Sequence, residues 1–136
     1  MTTTVAEKNL STEATAEQKS ALQATIETYF DALYNADHIM MGSIFHEHGV
    51  YATADESPAL IRDKPTYMAV LANRESPAKQ GHKRRDSIDS IDFAGVNTAR
   101  AQVRCAIGNT DFVDYLSFVY QDGRWQIIAK IFHISN

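Results

Sequence analysis

The chain has 136 residues, of which 44% are apolar and 22% charged, with a formal net charge of −4. That length suits one domain with one hydrophobic core, and the acidic balance argues against nucleic acid as a partner. The lone cysteine, Cys105, excludes an internal disulfide and a cysteine-based zinc site. No run is long and apolar enough to span a bilayer, and the first residues lack the basic start and apolar stretch of a signal peptide. The expected location is therefore cytoplasmic.

Residues 1–14 are rich in Thr, Ala and Glu and almost devoid of large apolar side chains, which reads as a disordered or loosely attached tail. One domain is expected over 15–136. Thr15 followed by Gln18 has the form of a capping box and predicts a helix from about Ala16. Leu22, Ile26, Phe30 and Leu33 then recur at helical spacing, with Tyr29 and Tyr34 beside the stripe. The segment 35–37 reads as a break, with Asp37 capping a short second helix that holds Ile39, Met40, Met41, Ile44 and Phe45 and stops near Gly49. Short strands are expected at 50–53 and 59–62, joined by the turn residues 55–58. Asp63 with Pro65 predicts a third helix through Tyr67, Met68, Val70 and Leu71. A polar, basic connection follows over 74–86, with Lys79, Lys83, Arg84 and Arg85, and reads as a solvated loop.

Alternation predicts longer strands at 87–93 and 99–107 and then a hairpin over 111–136. Asp122-Gly123 is the pair that a two-residue type I′ turn prefers. With those two in the loop, Gln121 faces Arg124, Tyr120 faces Trp125, and Phe118 faces Ile127. Continued without interruption, the register sets Leu116 against Ala129, Asp114 against Ile131 and Phe112 against His133. This face is nearly all apolar and is expected to be the inner one. The outer face would carry Val119 with Gln126, Ser117 with Ile128, Tyr115 with Lys130 and Val113 with Phe132. A tight turn at 109–110 would set Cys105 opposite Asp114 and extend the inner face through Ala101, Val103, Cys105 and Ile107.

This order implies α+β architecture, a cone in which three helices pack on the concave face of one curved mixed or antiparallel sheet. The segments YFDALYNADHIMMGSIFHEHGVY, IRDKPTYMAVL and DYLSFVYQDGRWQIIAKIFH resemble the nuclear transport factor 2-like superfamily (a cystatin-like fold), within it the putative lumazine-binding branch. The resemblance runs from about residue 16 onward. It implies kinship with ketosteroid isomerase-like and polyketide cyclase-like proteins, and a pocket on the concave face. Fold alone does not fix chemistry, so function must be argued from the site.

Asp114 and His133 interrupt the inner face. A carboxylate on an apolar wall needs a partner, and an imidazole nearby would orient well as one. Such a pair could serve as base and acid in a cofactor-free dehydration, isomerisation or cyclisation. It could equally be a structural hydrogen-bonded pair. Tyr29, Tyr51 and Tyr67 are candidates to orient a ligand carbonyl, although core aromatics with a satisfied hydroxyl look the same in sequence. His46 is expected at the pocket mouth. With His48 it would face one side of an extended chain, but no spacing offers a third ligand, so no metal is expected. Trp125 and Cys105 complete the candidate lining, and both also suit plain packing. No glycine-rich phosphate loop or nucleophile elbow is present, so no cofactor is expected. The leading expectation is a pocket for a small apolar or aromatic molecule. An acid–base enzyme and a non-catalytic interaction domain are the alternatives. A mixed apolar and charged outer face, with Arg100, Arg104, Tyr115 and Lys130, suggests a homodimer through that face.

Overall fold

A computed structural model describes residues 13–135. Among them are three helices, α1 (Ala16–Tyr34), α2 (His38–Ile44) and α3 (Lys64–Ala72). Six strands follow the order β1 (Phe45–Thr53), β2 (Leu60–Arg62), β3 (Ser87–Ala94), β4 (Thr98–Ile107), β5 (Thr110–Gln121) and β6 (Arg124–Ile134) along the chain. They form one open sheet in the spatial order β2-β1-β6-β5-β4-β3. Only β1 and β6 run parallel, so the sheet is mixed. Helices on one face of this curved sheet make the α+β cone. The tail expected over 1–14 lies outside the described residues as far as residue 12. Glu13 already bridges to Gly95, and Ala14 is buried.

Local signals explain where the helices start. The Thr15 hydroxyl accepts from the Gln18 N–H at 3.0 Å, and the Gln18 side chain accepts from the Thr15 N–H at 2.8 Å. Asp37 and Asp63 each accept from the backbone N–H three residues on, capping α2 and α3. α1 buries Leu22, Ile26, Tyr29, Phe30 and Leu33 against the sheet. Each fully buried side chain of this size contributes about 1.5–3 kcal/mol of transfer free energy.

α2 is shorter than expected. It ends at Ile44, and the strand begins at Phe45, five residues before the start read from sequence. Gly49 is therefore no helix stop. It lies in β1, where the pairing with β6 shifts between Phe45 and Val50, and the Phe45 ring packs on its bare backbone. A Cβ there would stand 2.5 Å from that ring.

The hairpin tip forms as read. Asp122 and Gly123 have φ of 56° and 76°, as a type I′ turn needs, and Gln121 pairs with Arg124. The register then changes. Phe118 pairs with Ile127, but Ser117 pairs with Ala129, so β6 carries one extra residue there. Beyond this bulge every β6 side chain exchanges faces. Leu116 meets Lys130, Asp114 meets Phe132, and Val113 meets His133. Lys130 and Phe132 thus turn inward and are buried, while Ile131 and His133 turn outward. The β4–β5 turn also differs from the expected one, since Cys105 pairs with Phe112 and Asp114 with Val103. That shift of two residues preserves the faces, and Ala101, Val103 and Cys105 remain inside.

Candidate active site

Two elements supply the polar centre of the cone. Asp114 projects from β5 and is fully buried, and Lys130 projects from β6 beside it, 5% exposed. Their closest charged atoms, Asp114 Oδ2 and Lys130 Nζ, are 3.9 Å apart. Desolvating such a pair is costly, and the surroundings offset that cost with further contacts. Tyr29 on α1 donates its hydroxyl to Asp114 Oδ2 at 2.5 Å, and the Cys105 thiol on β4 donates to the same oxygen at 3.3 Å. Lys130 donates to the Tyr67 hydroxyl on α3 at 3.1 Å. The rings of Tyr29, Tyr51, Tyr67 and Phe132 surround the ammonium, with centroids 5.1–5.5 Å from Nζ. Tyr51 and Tyr67 stack with centroids 4.1 Å apart.

One atom in this network is left over. Asp114 Oδ1 is buried and has no hydrogen-bond partner among the described residues. Both donors to the carboxylate, the Tyr29 hydroxyl and the Cys105 thiol, converge on Oδ2.

The electrostatics fix who can give and who can take a proton. Burial, reinforced by the neighbouring Asp114, raises the Tyr29 hydroxyl well above its ordinary value, so it stays a donor. Burial and Asp114 also raise the Cys105 thiol, which removes it as a nucleophile at neutral pH. Burial raises Tyr67, partly offset by Lys130. For Lys130 burial pulls downward, yet Tyr67, Asp114, Cys105 and Tyr51 together outweigh it and hold the ammonium above its usual range. Lys130 is therefore a charged acid and not a free amine.

A small cavity of about 30 Å³, room for one water, adjoins this cluster. Lys130, Cys105, Tyr51 and Phe132 form its inner wall, while half-buried Arg74, Ile107 and Phe112 form the rest. Asp114 does not line the cavity itself but contacts two residues that do, Cys105 and Lys130.

Of the residues singled out from sequence, Tyr29, Tyr51, Tyr67, Cys105 and Asp114 come together here. Three do not. His133 is on the opposite face of the sheet from Asp114, because the bulge reverses it. There it is bonded to Asp55 at 2.7 Å. The expected Asp114–His133 pair is therefore overturned. His46 lies beside the hairpin tip, with Nε2 2.8 Å from Gln121 Oε1. Trp125 is 2% exposed, but at the hairpin-tip end of the concave face, where its indole N–H donates to the Gln18 carbonyl. Lys130, placed on the outer face from sequence, is the central residue that strict alternation missed, and Phe132 and Arg74 were missed with it. A lysine inside the apolar run IIAKIF was the available signal. No group of three or more His, Cys, Asp or Glu side chains among the described residues is arranged to hold a metal.

An open six-stranded mixed sheet with three helices packed on it is the architecture of the nuclear transport factor 2-like class. The structure superposes on an NTF2-like protein of unknown function from Silicibacter pomeroyi with a TM-score of 0.80 at 23% identity, covering 90% of this chain and 100% of that one. A ketosteroid isomerase-like protein from Erwinia carotovora gives 0.69 at 12% identity, with 90% and 99% coverage. At these identities the likeness is one of fold. The profile of the putative lumazine-binding family matches residues 17–133, and the chain belongs to that family. The chain is also similar to Aldolase FrzH of Cladobotryum sp, 27% identical over 121 residues, or 88% of this chain and 93% of that protein.

Proposed function

We propose that the protein is a cofactor-free acid–base enzyme that removes a proton from the carbon next to a carbonyl group of a small molecule. The observation that carries this reading is the unpaired, buried Oδ1 of Asp114, held by Tyr29 and Cys105 through its other oxygen and set beside a caged ammonium. Unpaired polar atoms and buried ion pairs cost stability, and such sites concentrate where chemistry is done. Asp114 Oδ1 accepts the C–H proton. The electron pair of that bond moves onto the carbonyl oxygen, where the Lys130 ammonium meets the developing negative charge. The resulting enolate can take the proton back on a different atom, which is isomerisation, or can attack a second carbonyl carbon, whose oxygen then takes the proton held by Asp114, which is an aldol addition. The similarity to an aldolase supports the second outcome. Because Lys130 stays protonated, the oxyanion is stabilised by charge and no imine forms.

The cavity admits only a water as it stands, so substrate enters by displacing part of the wall, and small compounds are favoured. The test is proton exchange in D2O, followed by NMR on small aldehydes, ketones and oxo acids. The protein should accelerate exchange of the α-protons, and Asp114→Asn should lower the rate by about 10²–10⁴-fold. Equal rates for the two proteins, or no acceleration of any compound, would sink the reading. Borohydride added with substrate should leave the mass of the chain unchanged.

We propose also that two copies pair through the outer sheet face. Its support is an outward groove of about 400 Å³ between β3, β4 and β5, flanked by Tyr115, which is 61% exposed. Lys130 and Phe132 do not belong to that face, and Ile131 and His133 replace them. Sedimentation of Tyr115→Glu against the unmodified chain decides it, with a dimer lost in the variant as the expected result.

A further inference from the structure

The cavity wall contains two cations and no carboxylate. Lys130 is balanced by Asp114 behind it. Arg74, just beyond the C-terminus of α3, is not balanced. It lines the cavity and is half-buried, and its guanidinium makes no hydrogen bond or ion pair among the described residues. Neighbouring arginines behave differently. Arg84 is tied to Asp31 and Asp86, and Arg85 to Asp111, at 2.7–3.1 Å. A half-buried arginine left without a carboxylate among the described residues is open to an anion, because its planar fork binds carboxylates through two parallel hydrogen bonds.

From this, resting on the enolising reading above, we infer that the substrate is an oxo acid. Its carboxylate pairs with Arg74 at the mouth while its carbonyl reaches Lys130. The charge balance selects the class. Two cations and one carboxylate leave a single positive charge, which one substrate carboxylate neutralises. A phosphate group carries about −1.5 to −2 at neutral pH and would overshoot that balance. An uncharged ketone would leave Arg74 without a counter-charge when the cavity is filled. Arg74 is thus a specificity residue, and Asp114 and Lys130 carry the chemistry.

The experiment compares pyruvate with methyl pyruvate, which differ by the one negative charge. Binding is read by calorimetry and by amide chemical shifts, neither of which requires turnover. The unmodified protein should bind pyruvate at least tenfold more tightly than its ester. Arg74→Gln should bring that ratio close to one, and Arg74→Lys, which keeps the charge without the fork, should leave it in between. Equal binding of acid and ester by the unmodified protein overturns the inference, as does failure of pyruvate to bind or an undiminished preference in Arg74→Gln. Should that variant fail to fold, the acid–ester ratio of the unmodified protein still decides. A protein that selects the acid but does not exchange its methyl protons in D2O would uphold the oxo-acid site and remove the enolising role from Asp114.

Discussion

The two ends of the concave face are built from the same material and are put to different use. At the hairpin tip Trp125 meets Tyr120 and Phe93 edge to face, with centroids 5.0 and 5.9 Å away, and its one polar atom is bonded to the Gln18 carbonyl. At the other end four aromatic rings enclose the Lys130 ammonium, and Asp114 keeps an oxygen unpaired. The first end is fully satisfied and can only lose by change. The second contains a charged pair whose burial costs free energy and whose retention needs a reason beyond stability. One residue, the extra one at the β6 bulge, separates them.

Breaking either end should have the largest effects on stability. Trp125→Ala is expected to cost about 3–5 kcal/mol, read from urea denaturation. Molecules that remain folded should keep α-proton exchange, since Trp125 does not touch the polar cluster. At the polar end Lys130→Met alone strands the Asp114 carboxylate and should cost about 3–5 kcal/mol while abolishing exchange. Adding Asp114→Asn should recover most of that loss, because an amide and a thioether can be buried without a charge penalty. A double variant as unstable as the sum of the two single ones would mean that the pair exists for the fold, and the contrast between the ends would dissolve.

The seam between the ends also shows what the residues could reveal in advance. Capping boxes, aspartate caps and the Asp122-Gly123 turn act over three or four residues, so α1, the start of α3 and the hairpin tip were legible. Alternation identified the inner face of β4 and β5, including buried Asp114. A β-bulge has no comparable local signature. It is fixed by how β6 packs on β1 and β5, where the pairing with both neighbours slips near Ala129. That one inserted residue exchanged Lys130 with Ile131 and Phe132 with His133, and so moved the site's cation from the outside to the inside. Arg74 was illegible for a different reason. Its significance is the lack of a partner, which only three-dimensional neighbours disclose.

Gly49 tests the seam itself. Its backbone lies against the fully buried Phe45 ring where β1 slips past β6, and a methyl group would stand 2.5 Å from that ring. Gly49→Ala should cost about 1–3 kcal/mol through overpacking. Combining it with Phe45→Leu should relieve part of that cost. Additive losses would show that Gly49 is required for something other than room for the ring.

The smallest effect belongs to the outward side of the same bulge. His133, turned out by the extra residue, meets Asp55, whose carboxylate also accepts from the Ile134 N–H at 2.9 Å. The Ile134 N–H first, and His133 second, hold Asp55 below the ordinary aspartate value of 3.8. A carboxylate depressed in the folded state adds stability above its unfolded pKa and loses it as the pH falls through the folded one. Asp55→Asn should therefore lower Tm slightly at pH 6, and the difference should begin to shrink as the pH falls below 3.8 and close only below the depressed folded value, where the native side chain is also neutral. The bond is solvent-exposed, so the shift should be modest and weaker in high salt. A difference that persists unchanged once acid has protonated the native side chain as well would mean that the hydrogen bond to Ile134, which asparagine can also accept, is distorted in the variant. The charge of Asp55 would then contribute nothing to holding the β1–β2 loop on β6.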